Sequence, residues 1–337
     1  NMRTLNTIAF LIIIITNIGF SKTITVNNLA EENLELFQFK DLAKAYKNSQ
    51  SKDTILFIGS NNINDDKNMY CAATEPLYIS KDLIFVGPGF LPQNKSKQVA
   101  RLGGVLLGSG SSGSQFLGLV IDKISFITTQ NIFDYKFDGC YIKEIDFTGI
   151  GKSKIGDMLF LRCFVSGKIN FAKLGMQITG VVFRNNILHN VSFENSGKNA
   201  KQVYLLNNNF LSGTPFLKFE NAIIANNLFY KIDLKGATTS TFNNNITFNC
   251  KDGGLIPYGN NEGKNNLCDL NPQIEKLEEF NSSSIEEICN FNWSMKENSP
   301  GTKAGTDFTD IGIVGGIFPA YEFYTNKIFS GEPKLKK

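Results

Sequence analysis

Between Thr54 and Phe248 the chain alternates short apolar runs with polar or glycine-containing turns. Thr54-Ile55-Leu56-Phe57-Ile58 and Leu83-Ile84-Phe85-Val86 are rich in β-branched and aromatic residues, and they end at Gly59 and at Gly87-Pro88-Gly89. Each reads as a strand closed by a turn. Further along, one phrase recurs. Asp138-Gly139-Cys140-Tyr141, Leu161-Arg162-Cys163-Phe164, Arg184-Asn185-Asn186-Ile187 and Asn207-Asn208-Asn209-Phe210 follow one another at 23-residue steps, and Asn226-Asn227-Leu228 and Asn244-Asn245-Ile246 continue with a step of 18. A period of about 20 residues that holds two or three short strands per unit is the mark of a solenoid. A leucine framework and long runs of 3.6-residue periodicity are both missing, so leucine-rich and helical repeats do not fit.

The pattern predicts an all-β, right-handed parallel β-helix in which each coil pairs in register with its neighbours about 4.8 Å away. Stacking turns equivalent positions into columns. Asn186, Asn209, Asn227 and Asn245 are expected to form an amide ladder. Tyr141, Phe164, Ile187, Phe210, Leu228 and Ile246 are expected to form an apolar column inside the core. Cys140 and Cys163 fall in one column and read as two stacked small side chains, because strands with parallel side chains suit a disulfide poorly.

A solenoid leaves unpaired backbone at both ends, which must be covered. The spacing of Leu34, Phe37 and Leu42 within 29–46 predicts a capping helix at the first coil. At the other end Ile274–Cys289 reads as short helical turns, before a closing run from Ser299 to Gly316 rich in glycine, threonine and aspartate. The expected organisation is therefore 1–21 as a leader, 22–70 as cap helix and first strand, 71–250 as coils, and 251–337 as C-terminal cap and closing segment. The leader reading rests on Arg3, the short apolar run Ile8–Ile15, and Gly19-Phe20-Ser21 before Lys22, the pattern of a cleaved signal peptide. It implies a secreted, cell-surface or periplasmic protein with no membrane attachment after cleavage.

Composition narrows the chemistry. Of 337 residues 42% are hydrophobic and 19% charged, enough apolar material for a large core. A net charge of +3 gives no basis for nucleic-acid binding. The single histidine, His189, excludes any site built on two histidines. Asparagine occurs 39 times, an excess suited to turns. Six cysteines without a C-x-x-C pair fit an oxidising compartment, with one bridge expected among Cys250, Cys268 and Cys289. The 29 phenylalanines beside one tryptophan read as core filling rather than sugar platforms.

The cap, Asp53-Thr54-Ile55-Leu56, Leu83 to Phe90 and Gly110-Ser111-Ser112-Gly113-Ser114 together resemble secreted bacterial right-handed parallel β-helix proteins of the pectate-lyase-like superfamily. So does the closing Ser299-Pro300-Gly301…Ala304-Gly305-Thr306-Asp307…Thr309-Asp310-Ile311-Gly312…Gly315-Gly316. The resemblance implies enzymes that cut acidic polysaccharides, lyases with an Arg or Lys base and Ca²⁺, or hydrolases with paired carboxylates. The hydrolase pattern has no counterpart, since the only Asp-Asp is Asp65-Asp66 in the N-terminal region. The weak catalytic candidates are Arg162 and Arg184, on adjacent coils and nearly in one column, with Lys143, Ser166 and His189 on a second column and Asp138 on the Arg184 column. Asp307 and Asp310 read as turn-fixing acids. Two functions follow. One is non-catalytic binding of glycan or cell-surface material by a monomer, on a flat Asn-rich face and without a cofactor. The other is a polysaccharide lyase, for which Ca²⁺ is the implied cofactor.

Overall fold

The computed structural model describes residues 21–58, 69–90, 99–150, 153–171, 177–194, 200–212, 219–280, 287–288 and 291–319. Residues 1–20 of the expected leader lie outside them. Two parallel sheets make up the described chain. The first runs from Gln38–Phe39 through Thr23–Val26, Thr54–Phe57, Ile84–Val86, Gln115–Leu117, Ile132–Asp138, Lys154–Leu161, Gln177–Arg184, Ala200–Leu206, Ile223–Ala225 and Thr241–Asn243 to Glu262–Lys264. The second runs from Leu77–Ile79 through Val105–Leu107, Val120–Thr128, Tyr141–Ile150, Phe164–Asn170, Ile187–Glu194, Asn209–Leu211 and Leu228–Tyr230 to Ile246–Phe248. From Val105–Leu107 onward successive strands of the chain alternate between the two sheets, so the architecture is a parallel β-solenoid.

The corners explain the asparagines. Three columns carry positive φ, where an L-residue is comfortable only as Gly, Asn or Asp. One column is Asp134, Asp157, Gly180 and Gln202; another is Gly167, Asn190, Ser212, Lys231 and Asn249. The longest joins the first sheet to the second through Gly118, Gly139, Arg162, Asn185, Asn207, Asn226, Asn244 and Asn265. From the Gly139 corner onward, the residue immediately after the corner turns inward and bonds to backbone groups of the bend. Asn186 Oδ1 accepts from Cys163 N at 2.7 Å, and Asn208, Asn227, Asn245 and Asn266 each accept from the preceding asparagine's backbone N at 2.9–3.1 Å and from its Nδ2 at 3.0 Å. Every Nδ2 from Asn186 to Asn266 also donates to a strand carbonyl one coil back, those of Phe160, Phe183, Leu205, Ile224 and Phe242. Cys140 and Cys163 extend this column upstream, their thiols donating to Phe116 O and Phe137 O. They are free thiols, and burial, reinforced by Cys140, pushes the Cys163 thiol well up.

The ladder member is Asn208, not Asn209. The step from Asn186 to Asn208 falls one position short of the earlier period, so the next two residues are displaced as well. Asn209 takes the place expected of Phe210, pairing with Ile187 and Leu228, while Phe210 pairs with Leu188 and Phe229. The apolar column is corrected with it. Tyr141, Phe164, Ile187, Leu228 and Ile246 point outward, because an inward column follows one residue later as Ile142, Val165, Leu188, Phe210 and Phe229.

Aromatic stacking fills the interior. Phe85, Phe116, Phe137, Phe160 and Phe183 lie parallel at centroid spacings of 4.7–5.0 Å, with interplanar angles of 5–9°. Each ring buries its faces against its copies one coil away, and offset aromatic pairs add to simple burial. Replacing the central ring in Phe160→Leu, with the volume largely kept, is expected to lower stability by about 1 kcal/mol in urea melts. An unchanged midpoint would show that the stack adds nothing beyond apolar filling.

The N-terminal cap is smaller than predicted. Its helix spans Leu42–Asn48, capped by Asp41 Oδ1 on Lys44 N, and it buries Leu42 and Ala45. Leu34 and Phe37 are exposed on a short 3₁₀ turn, because the chain spends Thr23–Val26 and Gln38–Phe39 on sheet pairing instead. At the other end, 275–279 are turns. Cys250 and Cys268 are unbridged, each thiol donating to a carbonyl, and Cys289 lies outside the described residues.

The closing segment is a strap laid over the longest corner. Asn244 Nδ2 donates to Ala304 O at 2.7 Å, Asn226 exchanges bonds with Thr306, and Asn209 Oδ1 accepts from Ile313 N. Asn185 Nδ2 donates to both Ile313 O and Gly315 O. Ile311 and Ile313 bury the outward apolar column, in the same cluster as Ile187, Leu228 and Ile246. Asp307 Oδ1 accepts from Thr309 N and Oγ1, and Asp310 Oδ1 accepts from Lys303 N, so both acids bond to their own turn as expected.

Candidate functional site

The candidate residues divide among three places. Arg162 sits in the corner with φ 51°, where its guanidinium grips Asp138 through two bonds of 2.9 and 2.7 Å. Lys136 adds a third contact to the same carboxylate at 3.0 Å. Arg184 lies one residue before the next corner, half-buried on the outer face of the first sheet, in register with Leu161 and Leu206. Its guanidinium has no hydrogen-bond or ion-pair partner among the described residues. The two arginines thus occupy adjacent columns, as their spacing suggests, but only one is free to meet a ligand.

Lys143, Ser166 and His189 stand together on the outer face of the second sheet. Ser166 pairs with His189, and Lys143 follows Ile142, the partner of Val165. Alternation sends these side chains outward, beside the Tyr141–Phe164–Ile187 column. Lys143 Nζ reaches Asp122 at 2.7 Å, and Arg101 binds the same carboxylate at 2.8 Å. Tyr141 bridges the columns: its hydroxyl lies 3.4 Å from Ser166 Oγ, and Lys143 Nζ stands 5.9 Å from its ring centroid. His189 packs with its ring 6.2 Å from that of Phe164, next to the Asn190 amide. The sequence had not marked Arg101, Asp122 or Tyr141 for this site. The 21-residue step from Asp122 to Lys143 was the available signal, masked by the 23-residue period downstream.

These contacts limit the chemistry. A proton-abstracting Arg or Lys must be open to the substrate, and Arg162 and Lys143 are each engaged by a carboxylate of the chain itself. Burial lowers the His189 pKa, so the neutral imidazole is favoured. Among the described residues no three His, Cys, Asp or Glu side chains converge as a metal site. The asparagines of the repeated corner are not open to a ligand: the ladder side chains are turned into the solenoid, and Asn185, Asn207, Asn209 and Asn226 are buried under the strap.

His189 gives a testable pH dependence. Its charged form is penalised in the fold, so stability is complete above the ordinary value of 6.5 and falls as the pH drops below it, until the folded pKa is reached. In His189→Gln the fall in urea midpoint between about pH 7 and about pH 5 should be smaller than in the parent chain. Parallel curves for the two proteins would contradict a buried neutral histidine.

Comparison of the chain with family models, curated proteins and solved structures finds no match to any of them. The fold stands on its register. Function has to be read from the surfaces.

Proposed function

We propose that this chain is an exported β-solenoid that binds glycan or cell-surface material without transforming it, through the outer face of the second sheet around Tyr141, Lys143, Ser166 and His189. The observation that carries this reading is the combination of a half-exposed aromatic ring, two hydroxyls and an ammonium on two adjacent columns of a rigid sheet. Sugar rings present an apolar face and a rim of hydroxyls, and such a surface offers partners for both. Non-catalytic binding is supported by the engagement of Arg162 and Lys143 with Asp138 and Asp122. Export is supported by the leader pattern ahead of Lys22 and by a sheet that begins at Thr23, directly after the expected cut.

Titration of the purified protein with neutral and acidic polysaccharides, by calorimetry and in parallel by absorbance of unsaturated product with and without Ca²⁺, tests both halves. Binding without product, weakened about tenfold or more in Tyr141→Ala, is expected. Release of unsaturated product would replace this reading by a lyase. Binding that Tyr141→Ala leaves unchanged would remove the site from this face.

A further inference from the structure

The strap carries a second surface unrelated to the Tyr141 face. Phe308 is 82% exposed and has φ 61°, an uncommon backbone conformation for a bulky side chain. Its turn is tightly made: Gly305 N donates to Thr309 O at 2.8 Å, Phe308 N to Gly305 O at 3.0 Å, and Gly316 N to Thr309 Oγ1 at 2.6 Å. Thr306 is in turn bonded to Asn226. A left-handed aromatic held out into solvent by this many bonds is presented, not left over. Ile317 and Phe318 follow on the other limb of the same turn and are also exposed, at 70% and 41%. Asp307 and Asp310 flank Phe308, and each has spent one carboxylate oxygen on its turn.

Beside the strap, the outer face of the first sheet offers the complement. Leu159, Val182, Tyr204 and Ile223 form one column across four coils, half-buried to exposed, and Leu206 stands next to it. Arg184 is set among them without a partner among the described residues. The two surfaces adjoin, since Arg184 immediately precedes Asn185, whose amide binds the strap at Ile313 and Gly315.

We propose that these surfaces pair two copies of this chain. The Phe308 turn of each protomer sits on the first-sheet face of its partner, and an Asp307 carboxylate meets Arg184 across the interface. Apolar surface is matched with apolar surface, and a flanking carboxylate with an unpaired guanidinium. With a turn and a face on each copy, a two-fold axis brings both into use at once and the contact closes as a dimer. The sequence-based expectation of a monomer contains no information on this point, since the patch exists only after the strap has been laid beside the sheet.

Sedimentation velocity of the mature chain from about 1 to about 100 μM tests the proposal. A concentration-dependent dimer is expected in the parent protein. Phe308→Ser, Arg184→Glu and Asp307→Arg should each weaken it about tenfold or more, and the double variant Arg184→Glu with Asp307→Arg should recover most of the loss. Phe308 is mostly exposed, and an unchanged melting temperature of Phe308→Ser would confirm that the variant folds. A monomer throughout this range overturns the proposal, as does a dimer indifferent to Phe308→Ser. Failure of the charge exchange to recover the dimer rejects the Asp307–Arg184 contact and with it this mode of pairing. A monomer in which deletion of residues 320–337 newly produces association would assign the face to the chain's own terminus. Glycan binding is read separately through Tyr141, so either proposal can fail without the other.

Discussion

Asn208→Ala, in the interior of the amide ladder, is expected to cost about 3–5 kcal/mol of stability. The side chain accepts from Asn186 N and Nδ2, donates to Phe183 O and donates to Asn227 Oδ1, and it is fully buried. Alanine takes the acceptor from the backbone N–H of Asn186 and the amide donor from the carbonyl of Phe183, and each buried group so orphaned costs roughly 1–3 kcal/mol. Asn266→Ala should cost clearly less, because that residue ends the column and is only half-buried. Asn209→Ala removes a bond to the strap at Ile313 and should also fall below Asn208→Ala. Thermal melts of the three variants rank them, and equal shifts would deny the ladder any special role.

The second large effect is expected at Asp138. Its carboxylate is 7% exposed and takes both branches of the Arg162 guanidinium as well as Lys136. Asp138→Ala takes the bidentate carboxylate away from a guanidinium that is itself only 14% exposed, and breaking such a pair from one side costs about 3–5 kcal/mol. Removing both ends, Asp138→Ala with Arg162→Asn, should restore much of the loss, because asparagine is the residue used at Arg162's position in the next five coils. Urea unfolding of the single and double variants decides it. A double variant as unstable as the single would mean that the arginine stem, rather than its charge, holds the corner.

The solenoid was legible because its period is written in residue types with a physical task. Gly139, Asn185, Asn207, Asn226 and Asn244 recur where the backbone takes a positive φ, and Cys163, Asn186 and Asn227 recur where a small or amide side chain must close the bend. What the sequence concealed was a single deletion. The coil shortens by one position before Asn208, and three consecutive asparagines offer no contrast by which to see it. The same triplet hid which apolar column faces inward, since Tyr141, Phe164 and Ile187 are as apolar as the interior residues that follow them. Their burial comes partly from the strap, far along the chain, and no local pattern announces it. The site was legible by column but not by partner. The columns placed Lys143 with His189, and Arg184 one position from Arg162, whereas the engagement of Arg162 by Asp138 depends on a side chain reaching from one coil to the next.

The strap also bears on how the molecule carries a load. Hydrogen bonds between parallel coils run along the solenoid axis, so a pull on the two ends strains them one row after another, as in peeling. A pull across the axis strains a whole row together. The strap runs lengthwise and is fastened at Asn185, Asn209, Asn226 and Asn244, on successive coils. Those coils therefore part under axial tension only when its fastenings are broken as well, and the strap works as a tie rod along the C-terminal half, leaving the coils before Asn185 as the segment that stretches first.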